Sequence, residues 1–74
     1  MLARDHGHLV CRPPKEKEEI PERRLPLEDL RAVVIAARGV SLSSNAISGV
    51  LENEGIILHC DENYQPIGVT APLP

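Results

Sequence analysis

The chain has 74 residues, 42% of them hydrophobic and 26% charged, with a net charge of −3. At this length one small domain buries only about 60% of the surface its unfolded chain exposes. There is no Phe or Trp and a single Tyr, so burial falls to Val, Ile and Leu at roughly 1.5–3 kcal/mol per fully buried side chain, and support from a partner or from further chain is expected.

Charge is distributed unevenly: all eight Lys and Arg lie at or before Arg38, and every charge beyond Gly39 is acidic. A surface without cations releases no counterions from a phosphate backbone, which argues against nucleic-acid binding by the second half alone. Cys11 and Cys60 are the two cysteines, and no charged-then-apolar leader is visible, so a reduced, cytoplasmic setting is expected. The apolar runs stop well short of the roughly 20 residues that cross a bilayer, and no internal repeat is present.

Met1 to Arg12 reads as a hairpin, with turn chemistry at Asp5-His6-Gly7-His8 and a return strand at Leu9-Val10-Cys11. The strand before the turn is short, so either the hairpin is stunted or the natural chain begins earlier. The spacing of His6, His8 and Cys11 presents zinc-type donors, but a structural zinc site normally takes four, and turn histidines beside a packed thiol account for the same residues. Pro13 to Arg24 mixes proline with charges of both signs around one apolar residue, Ile20, and is expected to be a solvated loop. A basic patch at Arg23 and Arg24 would be neutralised by Glu16, Glu18, Glu19 and Glu22.

Leu25 to Asp29 predicts a short edge strand ending in a turn, with Leu25 and Leu27 pointing one way and Pro26 suited to an unpaired edge. Glu28 and Asp29 could meet a divalent ion, yet no third ligand lies near them in sequence; solvated turn acids are the default. From Leu30 to Cys60 the pattern predicts strand, helix, strand. The runs Ala32–Ala37 and Ile56–Leu58 are unbroken, as in strands buried on both faces. Between them Ser43 fits an N-cap, with Leu42 and Ile47 as a hydrophobic staple and Ala46, Ile47, Val50 and Leu51 as the apolar stripe. Gly55 fits the left-handed terminator, and Gly49 inside the helix points to close packing against a neighbour. The crossover is long enough to join parallel strands. An anion at Ser43 and Ser44 would lack a Gly-rich loop or a Lys.

His59-Cys60-Asp61 is the one triplet with the residue types of thiolate chemistry. Adjacent strand residues point to opposite faces, so His59 and Cys60 cannot pair as base and nucleophile while the strand stays extended. Asp61 to Pro66 then turns, and Ile67–Thr70 forms a strand antiparallel to the one before. The expected class is α+β, a small β-rich domain of about five or six short strands with one helix crossing between two central strands.

The order of Leu27-Glu28-Asp29-Leu30, the apolar strand, Ser41 to Ser44, Glu54-Gly55-Ile56 and Cys60-Asp61 before Pro66 resembles the amino-terminal domain of the CRISPR adaptation integrases, DNA endonucleases that insert new spacers into CRISPR arrays. Leu9-Val10-Cys11-Arg12 is similar to that family's second strand, and the resemblance runs from Gly7 to Pro72. It implies a β-rich module that builds a homodimer, joined in the full complex by a second, smaller adaptation protein and by DNA. It also implies that the chemistry, with its Mg or Mn, belongs to a following helical domain, which is absent from these residues. On that footing no residue here is catalytic, cofactor-binding or metal-ligating, Glu52, Glu54 and His59 included. The chain departs from the family in starting within the first strand and in its longer Lys/Glu loop. A free-standing interaction module is the alternative, with a thiol enzyme using Cys60 behind it.

Overall fold

The computed structural model describes residues 1–13, 21–37 and 39–74. Among the described residues there are six strands in two three-stranded sheets and one α-helix, a small α+β, β-rich fold. The first sheet is antiparallel, in the order β1 (Leu2–Asp5), β2 (His8–Cys11), β3 (Arg23–Pro26). The second has the order β4 (Ala32–Ile35), β5 (Ile56–Cys60), β6 (Pro66–Thr70), with β4 and β5 parallel and β6 antiparallel to β5. The helix, α1 (Ser44–Glu52), lies in the β4–β5 crossover.

The hairpin is not stunted: all four residues of β1 pair with β2, from Leu2 opposite Cys11 to Asp5 opposite His8. His6 takes a positive φ of 55° in the turn beside Gly7. Gly7 also accepts a hydrogen bond from the Leu27 N–H at 2.9 Å, which ties the hairpin turn to the segment after β3. Arg23 and Arg24, assigned from sequence to the end of a solvated loop, are strand residues of β3; residues 14–20 of that loop lie outside the described residues. β3 stops at Pro26, and a 3-10 turn follows at Leu27–Asp29. Leu25 and Leu27 therefore part company: Leu27 is 1% exposed within the core and Leu25 is 41% exposed on the edge strand.

The first sheet has a fourth contact that sequence pattern did not suggest. Leu2 donates to Ser41 O at 2.7 Å and accepts from the Ser43 N–H at 2.9 Å, a parallel bridge between Leu2 and Leu42. The lead-in to α1 is thus held on the outer edge of β1. Ser43 is the N-cap, its hydroxyl accepting from the Ala46 N–H at 3.0 Å, and Leu42 and Ile47 both pack against the core as the staple requires.

The helix ends one residue earlier than expected. The left-handed position belongs to Glu54, at φ 62°, and not to Gly55. Glu54 N–H donates to Leu51 O at 3.0 Å and Gly55 N–H to Val50 O at 2.9 Å, the paired bonds of a Schellman ending with Asn53 as C-cap. Gly55 is small for a different reason: a Cβ there would sit 3.1 Å from Val50 O and 3.2 Å from Leu30 O, both backbone atoms. Gly49 behaves as predicted, packed closely on Arg4 of β1 and Leu27 of the 3-10 turn, where a Cβ would meet Leu27 Cδ1 at 2.9 Å and Arg4 Cδ at 3.2 Å.

Leu9, Leu27, Ala46, Val50 and Ile57 form the buried core, with Leu2, Leu30, Val33, Ile35, Leu42 and Ile47 packed around it. This cluster takes the Leu9 face of the first sheet, the Ile57 face of the second and one face of the helix, while Ala3 and Val10, paired on the other face of the first sheet, are buried as well. The expectation that β4 and β5 are buried on both faces does not hold: β4 alternates exposed and half-buried residues, and Ile57 alone in β5 is fully buried. Among the described residues one helix and one opposing sheet pack on one side of β4–β5, and Val34 on the other side is exposed.

Candidate functional surface

That open side is the most distinctive surface of the molecule. In the second sheet Val33, Ile57 and Thr70 stand opposite one another, with Ile57 1% exposed, so this row faces inward. The next row, Val34, Leu58 and Val69, must face outward because strand side chains alternate. Val34 is 57% and Val69 56% exposed, and Ile67, at the irregularity where β6 slips against His59 and Cys60, is 70% exposed. Ala32 and Ile56 extend the row on one side, and no charged residue occurs within β4 or β6. Parallel strands are ordinarily covered on both faces. An uncharged, apolar outer row of Val34, Leu58 and Val69 is suited to contact with another apolar surface.

A second apolar feature lies beside it. A groove of about 380 Å³ runs along β4 toward the inner face of the first sheet, lined by Leu2, Leu9, Cys11, Leu25, Leu30 and Val33 among others.

The residues that suggested chemistry are dispersed. His6 Nδ1 lies 2.7 Å from Asp5 Oδ1, His8 is exposed on β2, and Cys11 is half-buried in the groove. Glu28 and Asp29 are exposed on the 3-10 turn. Ser43 has committed its hydroxyl oxygen to the cap, leaving Ser44 exposed at the first helical position. His59 shares a 2.8 Å hydrogen bond between Nε2 and Thr70 Oγ1, on the inward side, while Cys60 pairs with Pro66 across the irregularity. Glu52 meets Arg4 at 3.3 Å. Among the described residues no three His, Cys, Asp or Glu side chains converge on one point.

Of the two β3 arginines, Arg24 is held by carboxylates on neighbouring segments. Arg24 bonds Asp5 and lies 3.8 Å from Glu22, which also meets Arg12 at 3.2 Å. Glu22 was among the neutralising acids legible from sequence; Asp5 was not, since it reaches Arg24 only through the pairing of β1, β2 and β3. The hydrogen bond from Arg24, then that from His6, and the Arg24 charge hold the Asp5 carboxyl below its ordinary value, and the bond to Asp5 raises Arg24 in return.

Fold and surface together define a small α+β module with one bare sheet face. No model of a protein family matches the chain, and no curated protein does. Among the described residues no helix is long and apolar enough to cross a membrane.

Proposed function

We propose that the chain is the structural, dimer-forming domain of a CRISPR adaptation integrase, non-catalytic by itself and working in the cytoplasm. The observation that carries this reading is the outer row of Val34, Leu58 and Val69, an uncharged face on a chain whose own core is small. A second copy would bury that face and add to the modest stability of a 74-residue domain. The order of short motifs from Leu9 to Pro66 supports the family, whose chemistry is carried, on this reading, by a separate helical domain. The smaller adaptation protein, DNA and the metal belong, on this reading, to the full complex.

Sedimentation of the purified chain tests the proposal. A dimer is expected, converted to a folded monomer by Val34→Lys combined with Val69→Lys, both at exposed positions. A wild-type chain that stays monomeric up to high concentration overturns the dimer reading and favours a free-standing interaction module. Robust Mg- or Mn-dependent DNA cleavage by these 74 residues would overturn the assignment of a non-catalytic role.

A further inference from the structure

We draw no further inference here: the strongest candidate, the apolar groove of about 380 Å³ between β4 and the inner face of the first sheet, is an unpartnered apolar surface, and nothing in the structure shows what covers it.

Discussion

Glu54 holds a left-handed backbone conformation, φ 62°, that costs a residue with a Cβ roughly 1–2 kcal/mol and costs glycine little. Glu54→Gly is therefore expected to raise unfolding stability by about 1 kcal/mol, read as a higher urea midpoint at unchanged slope. The neighbouring Gly55 should respond in the opposite sense. Its missing Cβ leaves room for Val50 O and Leu30 O, backbone atoms that cannot swing aside, so Gly55→Ala is expected to cost about 1–3 kcal/mol. If the two substitutions shifted the midpoint alike, the helix ending described here would be wrong. Ser43→Ala should cost about 1 kcal/mol through loss of the bond to the Ala46 N–H.

At the scale of elements, Gly49 sets how closely α1 approaches the first sheet. Alanine there improves helix propensity by about 1 kcal/mol, but its Cβ would lie 2.9 Å from Cδ1 of Leu27, a side chain 1% exposed and unable to swing outward. Overpacking of about 1–3 kcal/mol should outweigh the gain, and a net loss of stability is expected for Gly49→Ala; a net gain would mean that Leu27 repacks. The strands of the first sheet carry a pH dependence through Asp5 and Arg24. Asp5 is lowered from 3.8 in the folded chain, so its contribution is complete above that value and is lost as pH falls below it toward the folded value. Wild-type protein should lose more thermal stability than Arg24→Gln on acidification from about pH 5 to about pH 2, the ordinary carboxylate value lying between. Equal losses would mean that the pair does not contribute in solution.

For the whole molecule, legibility followed the range of the interactions. The start of α1 was readable because a cap and its staple lie within five residues of one another, Leu42 to Ile47. Its end falls one residue before the expected place because glycine is the usual left-handed residue, whereas Gly55 answers to the carbonyls of Val50 and Leu30, the second a contact no local pattern records. The apolar runs gave β4 and β5 and their parallel pairing, but an unbroken run does not say whether the second face finds a cover. The bare Val34–Leu58–Val69 row, the main element of the candidate surface, was for that reason invisible in sequence, and the signal that could have located it was the arithmetic of one helix for a parallel pair. The dimer proposal has its own test at this scale: the thermal midpoint should rise with protein concentration, and a concentration-independent midpoint would count against it.

The Leu2–Leu42 bridge has a consequence for the order of assembly. It closes a loop of about 40 residues, at an entropic cost on the order of 3 kcal/mol beyond a constant term. The β1–β2 hairpin can form from neighbouring residues, but this bridge must await a segment far along the chain and sits at the periphery of the first sheet. It should form late and open first. In hydrogen exchange the amides of Leu2 and Ser43, which make the two bridging bonds, should therefore exchange sooner than those of β5, and shortening the chain by its first two residues should fray the beginning of α1 before it disturbs the second sheet.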